Sequence, residues 1–565
     1  MLGDLLCLFA VAFAVGLAVH EARAEPVTYY VAANGSDAND GTSPERPWRT
    51  LDRVNAAALA PGDSVLFRRG DTWRGSLRPR SGDEHAVITY GAYGEGPKPV
   101  LMGSVSMSDP EDWRHVEGAL WVAGTPPSQE PSQLPADASN ASPPLSWGLY
   151  CEHGASAQLT PDPEDPCALR LDCAQPGIAG PDIQLIATGL QLRAGHAYRL
   201  SFRARSSARF WLHMPPLMMA GPPWSSYSTG PSVGKRRIGP EWKACVQTYL
   251  ANTTTDNGRL TFYLGTALPP GATLWLDSLT WSECPLDDLP SESPQALTVD
   301  VGNIILGDEQ GCAIKVWEKE QLREQGQFWY DEENQLLYFY SDVNPAVRYG
   351  KLECALHRHI IDQSGVCYVT YEHLALKYGG AHGIGGGNTH HITVRDCDLS
   401  FIGGADQYGG DRTIRYGNGI EFWGNAHHNL VERCRIWEIY DAALTNQSAG
   451  ATVQQHHIIY RNNVIWNCEY SFEYWNRPET SETYDIFFLN NTCVGAGRGW
   501  GHTQRPDPSG RHLCFYVSDA QARNISIRNN IFCDAVTNAF YAPAWTAQGV
   551  AALQMDHNLW YQPQG

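Results

Sequence analysis

The chain has 565 residues, 43% of them hydrophobic, which is more than one ordinary core organises and predicts two or three domains. Its 61 Asp and Glu against 41 Lys and Arg leave a formal net charge of −20. That balance excludes nucleic acid and an anionic membrane surface as partners, since both repel an acidic protein. The 19 Trp and 26 Tyr suit carbohydrate faces as well as cores.

Residues 1–24 carry an apolar run at 5–19 followed by Ala22-Arg23-Ala24. The run is too short to span a bilayer and reads as a cleaved signal peptide, although no basic residue precedes it. A secreted or periplasmic chain is expected, with no membrane insertion after cleavage. Loss of Cys7 leaves fourteen of the 15 cysteines, so disulfides are expected in an oxidising compartment.

Residues 25–125 read as an N-terminal cap and the first rungs of a coil. A short helix is predicted over 50–59, then a Pro61-Gly62-Asp63 turn into a strand over Ser64–Arg68. A helix laid over the first rung covers a sheet edge that would otherwise invite aggregation. The pattern YYVAANGSDANDGTSPERPWRTL with GDSVLFRRGDTW resembles the cap of secreted carbohydrate-active β-helix proteins, among them family 141 glycoside hydrolases and some pectate lyases. The resemblance implies a glycosidase, with fucosides and xylan among the expected substrates. It carries over no catalytic residue position by position.

Residues 126–294 break the rhythm between two Pro- and Ser-rich linkers, and their short alternating strands predict an inserted β-sandwich of jelly-roll type. LRAGHAYRLSFRARS and GATLWLDSLTW resemble carbohydrate-binding modules of families 4 and 9. Trp224, Tyr227 and Trp242 are the aromatics expected to hold sugar rings. Cys151 with Cys284 and Cys167 with Cys173 are the expected bridges.

Residues 295–565 return to the coil, opening on an aromatic hairpin that turns at Asp331-Glu332-Glu333-Asn334. A repeated phrase then appears, with Tyr371, Val394, Val431, Tyr460, Phe488 and Ile527 as equivalent positions. Short runs rich in Ile, Val, Thr and Tyr, with no helical periodicity, predict a right-handed parallel β-helix. Asn463, Asn491 and Asn530 share one turn position, where amides can stack up the axis. Cys397 and Cys434 occupy it on the two preceding rungs, either bridged or as free thiols.

Two long Gly-rich loops, 403–417 and 495–511, are expected to wall a trough over two shorter rungs. On the strand beyond them Ile420, Leu444 and Phe472 align as inward residues. Glu421, Thr445 and Glu473 then form one outward column, with Trp423, Gln447 and Trp475 the next. Asp441 should lie at the adjoining corner. Glycoside hydrolysis needs two carboxyl groups with separated pKa values, so Glu421, Asp441 and Glu473 are the catalytic candidates. Trp423, Trp475, Gln447, Asn446, Arg477, His502, Asp406 and Asp411 are the substrate-binding candidates.

The paired histidines at 390/391, 427/428 and 456/457 read as repeated turn residues rather than a zinc set, and no cofactor or metal is expected, save a structural Ca²⁺ that Asp406 and Asp411 would hold. A polysaccharide lyase or uronate epimerase is the alternative, weakened by the absence of any Lys after Lys377. A non-catalytic glycan-binding surface protein is the other. The expected function is a glycoside hydrolase acting on a plant or algal polysaccharide or its oligosaccharides, as a monomer with a carbohydrate substrate.

Overall fold

The computed structural model describes residues 25–124, 145–165, 168–222, 224–229, 235–286, 297–407, 414–516 and 521–563. The predicted signal peptide, Cys167 and Asp411 lie outside them. Among the described residues no helix is long and apolar enough to cross a membrane.

The chain winds a parallel β-helix from three sheets of ten, nine and seven strands. The predicted equivalences hold strand by strand: Tyr371 pairs with Val394, Val394 with Val431, Val431 with Tyr460, Tyr460 with Phe488 and Phe488 with Ile527. Each is 0–1% exposed. Strand alternation sends every second side chain inward, so one apolar residue per rung stacks into a continuous core. The asparagine column closes the turn beside it. Asn463 Nδ2 donates to Asn491 Oδ1 at 3.0 Å, Asn491 to Asn530 at 3.2 Å, and Asn530 to Asn558 at 3.0 Å. Each amide also donates to a rung carbonyl, that of Val431, Tyr460 or Phe488. Cys397 and Cys434 continue the column as free thiols, their sulfurs donating to the carbonyls of Tyr371 and Val394. The expected Cys151 bridge is likewise unformed, since Cys151 is a free thiol.

The coil is interrupted in mid-stack. The strand Ile88–Tyr93 pairs directly with Cys367–Glu372, and Val100–Met102 with Ala375–Lys377. Regular rungs therefore resume near Ile361, after the hairpin. The segments 104–123 and 297–356 build two largely antiparallel sheets of their own, in which Glu353 opposes Ser106 and Phe339 opposes Trp121. The predicted hairpin sits here, Gln327–Asp331 against Leu336–Tyr340, its turn held by Asp331 Oδ1 accepting from the Glu333 and Asn334 amides. Between these segments lie sheets of six and four antiparallel strands around a separate core that includes Leu185, Phe202, Phe262 and Trp281.

The cap helix is shorter than predicted, Leu51–Asn55, with Thr50 as its N-cap and Leu51 and Val54 buried. It ends early because Asp63 reaches back, accepting from the Ala60 and Val27 amides and pulling the chain out into the next strand.

Candidate active site

The seven-stranded sheet carries the predicted columns. Ile420, Leu444, Phe472 and Leu513 lie in register and are fully buried inside the coil. Glu421, Thr445 and Glu473 therefore stack on the outward face, followed by Trp423, Gln447 and Trp475. Asn446 belongs with the inward set: it is fully buried and accepts from the Tyr460 hydroxyl at 3.0 Å, so it cannot meet a substrate.

The outward column is not open. Glu421 is 6% and Glu473 7% exposed, because the two long loops meet over the corner instead of standing apart. Arg415 Nη1 donates to Gln504 Oε1 at 2.9 Å, and its guanidinium lies over the rings of Tyr440 and Trp500. Arg505 covers the other face of the same corner, 5.1 Å from the Tyr440 ring centre. The expected open trough is thus a covered corner.

Beneath the roof the two glutamates sit in different surroundings. The ring of His382 lies against Glu421, Nε2 to Oε2, at 2.9 Å. The backbone N–H of Asn418 donates to His382 Nδ1, so the ring proton sits on Nε2 and points at the carboxylate. The Asn418 amide adds a 3.4 Å contact, oriented because its Oδ1 is taken by the Ala442 N–H. Burial alone raises the Glu421 carboxyl, but His382 and Asn418 outweigh it and hold it below the usual glutamate range. Glu473 has no such partners. Burial first, then the charges of Asp441 and Glu421, push its carboxyl well above the ordinary value against the charge of Arg505 and one hydrogen bond from Gln447 Nε2. The two carboxyls are thus pushed in opposite directions, one toward the ionised form and the other toward the protonated form.

Asp441 stands at the corner on the intervening rung, ion-paired to Arg505 at 3.0 Å. Burial, and Glu469 one rung on, raise it despite the arginine. Glu469 is buried and accepts from the backbone N–H groups of Ser509 and Gly510 at 2.6 and 2.8 Å. Its other oxygen holds His502 Nδ1 at 2.9 Å, which turns that ring into the corner. Several buried polar atoms here lack a hydrogen-bond partner: Thr445 Oγ1, between the two glutamates, Trp475 Nε1 and Arg505 Nε. Buried donors are ordinarily satisfied, so unpartnered ones around a carboxyl pair are what a polar ligand would fill.

The structure brings Glu421, Asp441, Glu473, Gln447, Trp423, Trp475 and His502 to one face. Trp423 meets Trp475 edge-on at 6.5 Å, and Arg477 stacks on Trp475 at 4.5 Å. Asp406 is elsewhere: its backbone N–H donates to Asp300, whose carboxylate grips Lys315 at 2.6 Å. Sequence reasoning missed His382, Asn418 and Glu469, and also His357, His359 and Tyr416, which back His382. His359 stacks on His382 at 4.9 Å, and the Tyr416 hydroxyl meets His357 Nε2 at 2.8 Å. Burial lowers both His357 and His359 to about 4, so both rings are neutral. The alternation His357-Arg358-His359 was the one available signal.

A cavity of about 760 Å³ lies at the seam between the sandwich and the 297–356 segment. Trp211 and Trp242 line it from one side and Trp317 and Trp329 from the other, with Asp300 and Asp406 at its floor. Of the aromatics expected to bind glycan, Trp242 is 38% exposed and carries Arg203 and Arg205 on its ring. Trp224 is exposed and covered by Arg259. Tyr227 is buried in the sandwich core and offers no platform.

No family model matches the chain. It is 44% identical over 82 residues to a lacto-N-biosidase of Bifidobacterium longum subsp. longum, an alignment spanning 13% of this chain and 5% of that protein. A solved glycoside hydrolase is 12% identical over 95% of this chain and 96% of its own, with a TM-score of 0.33. A family 4 carbohydrate-binding module is 19% identical over 24% of this chain and 86% of its own, with a TM-score of 0.21.

Proposed function

We propose that this protein is a glycoside hydrolase in which Glu473 is the general acid and Glu421 the general base. The observation that carries the reading is the covered carboxyl pair, one glutamate held low by the contacts of His382 and Asn418 and the other pushed up by burial and neighbouring charge. In the proposed step Glu473 gives its proton to the glycosidic oxygen as the bond from that oxygen to the anomeric carbon breaks. Water attacks the same carbon from the opposite face and loses its proton to Glu421. The two glutamates are two rungs apart, about 9.6 Å along the backbone, near the upper limit of the carboxyl separation for inversion, which leaves room for that water. Thr445 Oγ1 and Trp475 Nε1 supply unpartnered groups for sugar hydroxyls. The alignment with a named lacto-N-biosidase and the resemblance to family 141 support a glycosidase.

The roof restricts what enters. With both glutamates under a tenth exposed, a sugar at a chain end suits the pocket better than the middle of a polymer. The seam cavity, lined by four tryptophans, is a separate surface on which a glycan could rest, since indole faces match sugar rings. The apolar run at 5–19 supports export to the compartment where such glycans occur.

The test is a screen of the purified protein against aryl glycosides, plant and algal polysaccharides and lacto-N-bioside oligosaccharides, with product anomers followed by proton NMR. Single-sugar or disaccharide release with inverted configuration is expected. A product absorbing near 235 nm, a rough value for a C=C bond conjugated to an acid, marks elimination and would overturn the hydrolytic reading.

A further inference from the structure

On the outer face of the ten-stranded sheet, away from the carboxyl pair, three consecutive rungs each present two adjacent histidines. His390, His427 and His456 lie in register, their rings parallel within 4° and 4.8–4.9 Å apart. His391, His428 and His457 stack beside them at 4.8 and 4.6 Å. Neighbouring residues of a strand ordinarily point to opposite faces. Here the second of each pair is left-handed, with φ of 55°, 55° and 54°, which swings its ring to the same side as the first. Within each pair the Nδ1 atoms come to 2.9, 2.9 and 2.8 Å of each other.

The turn does not require histidine. On the rungs that follow, the left-handed position is filled by Asp485 and Asn524, and on the rung before by Tyr368, so a turn residue accounts for one member of each pair at most. The rings of all six histidines are partly or fully exposed, so a solvent ion can reach them. Asp485 lies 3.4 Å from His457 Nε2, the outer-nitrogen partner that commonly fixes a ligating imidazole.

We infer that this ladder is a site for a divalent transition metal of square-planar or octahedral preference, Cu²⁺ or Ni²⁺, gripped by the two Nδ1 atoms of one rung. The bite decides the metal class. With metal–nitrogen bonds of about 2.05 Å, a 2.9 Å separation subtends about 90°, whereas tetrahedral zinc needs about 3.4 Å. The middle rung supplies a third ligand to each side: His390, His391 and His427 form one set and His428, His456 and His457 another, each within 4.8 Å. Two ions per chain are therefore expected, and their role is to tie three rungs together.

The experiment is calorimetric titration of the tag-free full-length protein with CuCl₂, NiCl₂ and ZnCl₂, alongside melting temperatures and Cu²⁺ electron paramagnetic resonance. Two equivalents of Cu²⁺ or Ni²⁺, nitrogen hyperfine structure and a raised melting temperature are expected, with Zn²⁺ at least tenfold weaker. His391→Asn with His457→Asn keeps a residue that tolerates the left-handed turn while removing one grip from each set. The variant should melt as the parent does without metal and bind at least a hundredfold more weakly. Absence of binding in the parent overturns the inference. So does unchanged binding in the variant, which would point instead to the Glu152, His153 and Asp182 set. If the variant does not fold, His390→Gln with His456→Gln, which leaves the turn residues in place, gives the same reading.

Discussion

The ten-stranded and seven-stranded sheets wind along one coil, yet they treat buried polar groups in opposite ways. Beside the first, the asparagine column satisfies itself, because each amide finds the same amide one rung on and a carbonyl beside it. On the second, the repeat is broken in every outward column. Thr445 separates two glutamates and Gln447 separates two tryptophans, so no rung finds its own copy next to it. What remains is unpartnered donors and two carboxyls pushed in opposite directions. A repeating scaffold stabilises itself where the residues recur, and chemistry collects where they do not.

The largest effects should come from breaking the non-repeating column. Glu473→Gln removes the proposed proton donor, and proton transfer is typically worth roughly 10²- to 10⁴-fold, so kcat should fall by about that much. Glu421→Gln should do the same. The two differ in the pH dependence of stability. Glu473 has a folded pKa above its unfolded value, so the folded state holds the extra proton and stability falls as pH rises through that window. Glu473→Gln should therefore melt at least as high as the parent above pH 5 and flatten that decline. Glu421 is shifted the other way: its contribution is present above the unfolded pKa and is lost as pH falls through the folded one. Melting curves of the parent and both variants from about pH 3 to 8 check this, and activity should be bell-shaped between the two groups. Full turnover in both variants would remove them from the chemistry.

Breaking the repeating column should cost stability and spare chemistry. Asn491→Ala removes a donor to the Tyr460 carbonyl and the acceptor for the Asn463 N–H, both buried. Each group left unpaired costs about 1–3 kcal/mol, so a clear fall in melting temperature is expected with kcat unchanged per folded molecule. A large loss of kcat would instead couple the ladder to the carboxyl pair.

The contrast also explains what could be read in advance. The core register from Tyr371 to Ile527 and the asparagine column were legible because they recur at one position per rung. Strand alternation also sets Glu421 and Glu473 outward, and the same alternation places Asn446 between two outward residues, hence inside. The insertion was legible from its linkers, but not that 104–123 and 297–356 leave the coil with it, because Tyr90 pairs with Tyr371 across all of them and no local pattern records a neighbour so distant in sequence. The roof was hidden for a related reason. Arg415, Gln504 and Arg505 act through single tertiary contacts between loops, and His382 reaches Glu421 from an earlier rung.

The smallest effect, and the one that sharpens the comparison most, concerns Trp475. Its ring is half-buried, stacked by Arg477 and met edge-on by Trp423 and Tyr516, while its Nε1 is buried without a partner. Those two features predict different kinetics. If the indole only offers a face to a sugar, Trp475→Ala removes binding that is equal in ground and transition states. KM should then rise by about three- to tenfold, the scale of an exposed aromatic contact, with kcat within about twofold. If the N–H is spent on a hydroxyl that is gripped more tightly in the transition state, kcat falls as well. Trp475→Phe separates the two, since it keeps a ring and loses the donor. Retained KM and kcat in Trp475→Phe assign the residue to the platform, and a kcat loss shared by both variants assigns its N–H to the same unpartnered set as Thr445.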